Sequence, residues 1–171
     1  MSILIIDDEP GLRRSLAAHF EDLDLDTLEA CNGLEGLEVL REHADSIEAV
    51  IVDLNMQVMD GASFIGHATQ EAPEMPIIVL SGVGVIEDAI AAMRRGAWDF
   101  ITKPLHSFEM LDHTLNRVFE RARLLRENRM HRENLECLVR QRTEELEETR
   151  RQVMQRLSRA AEYKDNETGR H

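Results

Sequence analysis

Through the first hundred residues, short aliphatic and β-branched runs alternate with stretches whose apolar positions recur every three or four residues. The runs predict strands at Ser2–Ile6, Asp26–Ala30, Ala49–Val52, Pro76–Leu80 and Trp98–Ile101. The stretches between them predict helices near Pro10–Glu21, Gly33–His43, Gly61–Glu71 and Val85–Arg95. Pro10 sits just inside the first helix, where its missing N–H costs nothing, and Leu12, Leu16, Ala17 and Phe20 give that helix one buried side. Strands alternating with helices at this length imply crossover units and a parallel sheet. The run Ile77-Ile78-Val79-Leu80 is apolar on both faces, as a covered central strand must be. The pattern therefore predicts an α/β fold: a doubly wound, five-stranded parallel sheet with five helices.

After Lys103-Pro104 the pattern changes. No glycine or proline occurs from about Ser107 to Lys164, and Arg, Glu and Leu dominate, which predicts one long C-terminal helix or two nearly continuous ones. Val118, Leu125, Arg132, Val139, Leu146, Val153 and Ala160 recur at a spacing of seven, beside a poorer seam of Arg121, Asn128, Leu135, Arg142, Thr149 and Arg156. A helix of roughly 50 residues, ~75 Å long, is too polar to form a core and too long to stand alone. A two-stranded coiled coil fits best, with polar seam residues able to set register and partner number, so the chain is expected to form a homodimer.

Charge sharpens this division. Residues 1–110 hold 21 acidic and 6 basic side chains, and residues 111–171 hold 12 acidic and 14 basic ones, marking a boundary near residue 110. An acidic first part argues against nucleic-acid binding, which needs a basic surface, and the arginines of the second part alternate with glutamates as on a solvated helix face. Cys31 and Cys137 lie far apart and outside any metal-binding spacing, as expected of reduced cysteines. No signal peptide opens the chain and no apolar run approaches the ~20 residues that span a bilayer, so the expectation is a cytoplasmic protein without a membrane partner.

The candidate chemistry lies at the strand ends. Asp7 and Asp8 follow the first strand, Asp53 follows the third, and Lys103 follows the fifth. In an open α/β sheet, the C-terminal strand edge is where ligands bind. Carboxylates gathered there cannot all ionise cheaply without a cation. Oxygen ligands with no His or Cys nearby favour Mg²⁺, with Mn²⁺ possible, over zinc. A carboxylate beside such a metal can attack phosphorus, while a lysine and the metal offset charge on the phosphoryl oxygens. Ser81 ends the fourth strand, where its hydroxyl could reach the same group, and a cis Lys103-Pro104 bond would aim the ammonium at the site. Any one of these residues alone reads as a helix cap, a turn or a surface charge; their joint occurrence at successive strand ends carries the argument.

With these residues in view, the chain resembles the receiver domain of two-component response regulators, a flavodoxin-like fold, over residues 1 to about 120. The match runs through Ile5-Ile6-Asp7-Asp8-Glu9, Val52-Asp53-Leu54-Asn55-Met56, Met59-Asp60-Gly61, Leu80-Ser81-Gly82, Gly96-Ala97-Trp98-Asp99-Phe100 and Ile101-Thr102-Lys103-Pro104. The resemblance implies that Asp53 is the phosphoacceptor and that Asp7, Asp8, Asp53 and the backbone carbonyl of Asn55 hold Mg²⁺. It also implies that Ser81 and Lys103 contact the phosphoryl group, that Phe100 is the aromatic switch residue moving with Ser81, and that a sensor histidine kinase is the donor. Such a receiver promotes its own phosphotransfer and dephosphorylation without being an enzyme in the ordinary sense. Gln57 stands where the family usually has proline, which bears on the rigidity of the loop after the third strand and not on the chemistry. Phe100 replaces the commoner tyrosine, so any switch rests on ring packing alone.

The last residues, Leu157 to His171, are similar to the entry of HD-GYP domains, which hydrolyse cyclic di-GMP. By that resemblance Glu167 and His171 are metal ligands, orphaned here because the chain stops before a His-Asp pair or a Gly-Tyr-Pro motif. The expected organisation is a receiver over 1–120, a coiled-coil linker over 121–164 and the start of an output domain over 165–171. One alternative is a regulatory fragment of a cyclic di-GMP phosphodiesterase. A remote alternative is a phosphatase with an Asp nucleophile, disfavoured because Asp7 and Asp8 are adjacent rather than spaced Asp-x-Asp.

Overall fold

A computed structural model describes residues 2–82, 86–105 and 107–168, with every side chain among them except those of residues 86, 158 and 160–168. The elements follow as β1 (Ser2–Ile6), α1 (Pro10–Glu21), β2 (Asp26–Ala30), α2 (Gly33–Glu42), β3 (Ile47–Asp53), α3 (Gly61–Glu71), β4 (Ile77–Ser81), α4 (Ile86–Arg95), β5 (Asp99–Thr102) and α5 (Glu109–Thr168). The strands form one sheet in the order β2-β1-β3-β4-β5, and every pairing is parallel. The order reverses direction between β1 and β3, so the crevice outside their C-terminal ends is the topological switch point.

The expected α/β architecture is the observed one, with small boundary shifts. The third strand is longer than Ala49–Val52, starting at Ile47 and running on to Asp53, which pairs with Leu80. The fourth strand begins at Ile77 because Pro76 has no N–H to donate, although its carbonyl still accepts the Val50 amide at 2.9 Å. His43 is the cap of α2 rather than its last residue, and Val85 lies outside the described residues. Gly96 closes α4 at φ +116, with its N–H on the Met93 carbonyl (3.2 Å) and the Ala97 N–H on Ala92 (3.1 Å), a left-handed cap that suits a residue without Cβ.

Alternation along the three central strands builds two cores. Leu4, Ile6, Val50, Val52, Ile77 and Val79 face Leu37, Leu40, Phe64, Ile65 and Ala92 from α2, α3 and α4. Ile3, Ile5, Ala49, Ile51, Ile78 and Leu80 face Leu16 and Phe20 of α1 and Leu111, Leu115 and Val118 of α5. Runs apolar on both faces are thus required by helices on both sides.

Val118, the first position of the seven-residue spacing, lies within the receiver and is 3% exposed, in the same buried set as Leu115 and Ala122. Arg121, the expected start of the companion seam, instead lies over the Trp98 ring at 4.4 Å. Residues up to Arg123 form one compact unit and those from Leu124 a second. In the second unit the helix exposes Leu125, Leu135, Val139, Leu146 and Val153. No helix among the described residues is long and apolar enough to cross a membrane.

Candidate functional site

Parallel register assembles the site. Ile6 pairs with Val52, so the residues that follow, Asp7 and Asp53, emerge side by side at the switch point. Ser81 pairs with Thr102, so Lys103 leaves β5 beside them, its N–H on the Ser81 carbonyl at 2.7 Å and its bond to Pro104 cis. The Lys103 ammonium donates to Asp7 Oδ2 at 2.8 Å and lies 2.9 Å from Asp53 Oδ1. The other Asp7 oxygen accepts the Glu9 N–H at 2.8 Å, and the other Asp53 oxygen accepts the Asn55 N–H at 3.2 Å. Both carboxylates are buried, whereas Asp8 is exposed.

These contacts explain the electrostatics. Burial pushes the Asp53 carboxyl above the ordinary carboxylate range, the Lys103 ammonium opposes that rise, and the charge of Asp7 adds to it. For Lys103, burial is the largest single influence and works against the charged form. Its bonds to Asp7 and Asp53 together outweigh that and hold it above an ordinary lysine. A charged lysine offsets one of three carboxylates and leaves the cluster anionic. Asp7, Asp8 and Asp53 each bring an oxygen to within 4.8 Å of the others. An all-oxygen donor set open to solvent on the Asp8 side suits Mg²⁺, which keeps several waters and takes few carboxylates.

The other predicted residues lie around this cluster. Ser81 is 2% exposed, and its Oγ is 3.5 Å from the Gly82 carbonyl. Phe100 is exposed on β5, within a surface depression lined also by Met110, His113 and Arg117. Glu167 falls in the last turn of α5, but its side chain and the whole of His171 lie outside the described residues.

The loop from β3 to α3 is held without the proline. Gln57 accepts the Met59 N–H at 2.8 Å across Val58, a γ-turn with Val58 at φ 68. The Met59 carbonyl accepts the Gly33 N–H at 3.1 Å, the Leu54 carbonyl accepts the Gly61 N–H at 3.1 Å, and the Asp60 carboxylate caps α3 through the Ser63 N–H at 2.7 Å. Sequence reasoning missed Arg13. Its Nη1 donates to the Asp7 carbonyl at 2.7 Å and its Nε to Glu29 Oε2 at 3.1 Å, contacts that no local spacing announces.

Residues 3–115 match the family model described as the response regulator receiver domain. A putative NtrX-like response regulator of Rickettsia felis is 35% identical over 130 residues, covering 75% of this chain and 27% of that protein. The transcriptional regulatory protein GlrR of Escherichia coli is 37% identical over 103 residues, 60% of this chain and 23% of GlrR. The chain thus spans about a quarter of the length of these curated relatives. Among solved structures, a receiver domain protein from Clostridium thermocellum superposes with TM-score 0.69 at 31% identity, covering 72% of this chain and 98% of that one. NtrX from Brucella abortus superposes with TM-score 0.69 at 33% identity over 74% of this chain and 28% of its own. A sheet ordered β2-β1-β3-β4-β5, its acidic switch point and these relatives lead to one conclusion: the chain belongs to the response regulator receiver domain family.

Proposed function

We propose that this chain accepts a phosphoryl group on Asp53 from the phosphohistidine of a sensor kinase, in the cytoplasm, and relays that event through α5 to an output domain. The observation that carries this reading is the Lys103 ammonium shared between Asp7 and Asp53 inside a three-carboxylate cluster. A carboxylate oxygen of Asp53 attacks phosphorus, the phosphorus–nitrogen bond breaks, and its electron pair returns to the imidazole ring. Asp7, Asp8, Asp53 and the Asn55 carbonyl are the residues that would hold Mg²⁺. Bound there, the cation supplies positive charge for the phosphoryl oxygens. Lys103 supplies a second positive charge, and Ser81 at the end of β4 supplies a hydroxyl donor. Phe100 then responds to movement of Ser81 by a change in ring packing.

In the proposed organisation, the receiver occupies 1–120, the linker helix 121–164 and the beginning of an output domain 165–171. Exposed Leu125, Val139, Leu146 and Val153 pair two copies of the helix as a coiled coil. GlrR is named as a transcriptional regulator, but this chain's own Glu167 and His171 favour an HD-GYP output, which would make the chain the regulatory part of a cyclic di-GMP phosphodiesterase.

Intact-mass spectrometry after incubation with acetyl phosphate and Mg²⁺ tests the chemistry. One added phosphoryl group is expected in the wild type and none with Asp53→Ala or with EDTA. A folded wild type that takes neither phosphate nor beryllofluoride would overturn the reading.

A further inference from the structure

Asp7 and Asp53 are each fixed by two partners, the Lys103 ammonium and a backbone N–H. Asp8 is exposed, and among the described residues no group hydrogen-bonds its carboxylate. Its placement therefore depends on its backbone. The peptide joining Asp7 to Asp8 is planar, so fixing its carbonyl also fixes the direction in which the Asp8 Cα leaves the strand. Arg13 makes that fixation, donating Nη1–H to the Asp7 carbonyl at 2.7 Å. The guanidinium is itself anchored by its Nε on Glu29 of β2 at 3.1 Å, and the Arg13 side chain is 17% exposed. A charge-assisted bond from a planar fork with a second anchor is a rigid brace.

The brace has a sign that makes it informative. A guanidinium beside a cation site opposes cation binding electrostatically, so charge alone makes Arg13 a liability there. Geometry gives it the opposite role. We propose that Arg13 is a positioning residue for the divalent cation, braced by Glu29 and acting through the Asp7–Asp8 peptide to hold Asp8 where it can ligate. This rests on the Mg²⁺ reading above. Residues that orient ligands typically change metal affinity 10–100-fold when removed.

Calorimetric titration of Mg²⁺ into the full chain tests it, using wild type, Arg13→Ala, Arg13→Lys, Asp8→Ala and the Arg13→Ala/Asp8→Ala double variant. Unfolding midpoints in EDTA establish that each variant is folded. Arg13→Ala and Arg13→Lys should each weaken Mg²⁺ binding by about tenfold. The lysine variant retains the charge and loses the fork, so an electrostatic role would leave it unchanged. In the Asp8→Ala background, Arg13→Ala should have no further effect, because both act on one ligand. Should the Arg13 variants unfold, Glu29→Ala releases the anchor from the other side and should weaken binding in the same direction. Unchanged or tighter binding in the single variants, or losses that add in the double variant, would overturn the proposal. A wild type that binds no Mg²⁺ would instead overturn the receiver chemistry on which it depends.

Discussion

Gly61 and Gly66 lie in one helix five residues apart, and the same substitution should have opposite effects at the two. Gly61 opens α3 directly behind the site. A Cβ there would stand 2.2 Å from the Asp53 carbonyl oxygen, 2.9 Å from the Leu54 Cα and 3.0 Å from the Asp53 carbonyl carbon. These are backbone atoms of the β3 end and cannot rotate away as a side chain would. Since real Cβ contacts essentially never fall under 3.0 Å, Gly61→Ala requires a shift of about 0.8 Å (3.0 less 2.2) in either the helix or the strand end carrying Asp53. Overpacking of this kind costs ~1–3 kcal/mol. At Gly66, nothing lies within 4 Å of an added Cβ. Alanine there replaces an entropically costly mid-helix glycine and should stabilise by ~0.5–1 kcal/mol. Urea unfolding followed by circular dichroism gives both values. Phosphoryl uptake by mass spectrometry should fall for Gly61→Ala, whose shift reaches Asp53, and stay unchanged for Gly66→Ala. Equal stability changes at the two positions, or a Gly61→Ala protein as stable and active as wild type, would refute the contact argument.

Three other expectations follow from named contacts. Asp60 caps α3, and the Ser63 N–H holds its carboxyl below the ordinary range, so the cap is fully present above the unfolded-state pKa and is lost as pH falls through the lower folded value. Asp60→Ala should cost ~1 kcal/mol at neutral pH, with the gap to wild type closing in acid when both are unfolded across a pH series. Val58 is a β-branched residue at φ 68 and is 82% exposed, so Val58→Gly trades left-handed strain for chain entropy and should stabilise by ~1 kcal/mol in urea melts; a destabilised variant would contradict the strain argument. Val139→Asp or Leu146→Asp should convert a dimer to a monomer in sedimentation equilibrium, whereas Glu144→Lys, off the seam, should not.

Much of the fold was legible in the sequence because its signals are local. Pro10 marks a helix start, and the aliphatic runs at 3–6, 49–52 and 77–80 declare strands covered on both faces. A strand-helix alternation then leaves few parallel topologies, so the sequence pattern itself brings Asp7, Asp53, Ser81 and Lys103 to one edge of the sheet. Distances and partners were not local. That one ammonium serves both Asp7 and Asp53, and that Arg13 reaches over the end of β1 to Glu29, depend on residues 96 and 16 positions apart meeting in space. Nothing near Gly61 in the chain reports the backbone of Asp53 pressed against it. The long helix shows the same limit: apolar residues at 111, 115, 118 and 122 repeat as a core stripe or a coiled-coil seam would, and periodicity cannot tell them apart. Packing in three dimensions buries Val118 with Phe20 and Ile101 and leaves Leu125 and Val139 exposed, because burial depends on which surface is available to pack against.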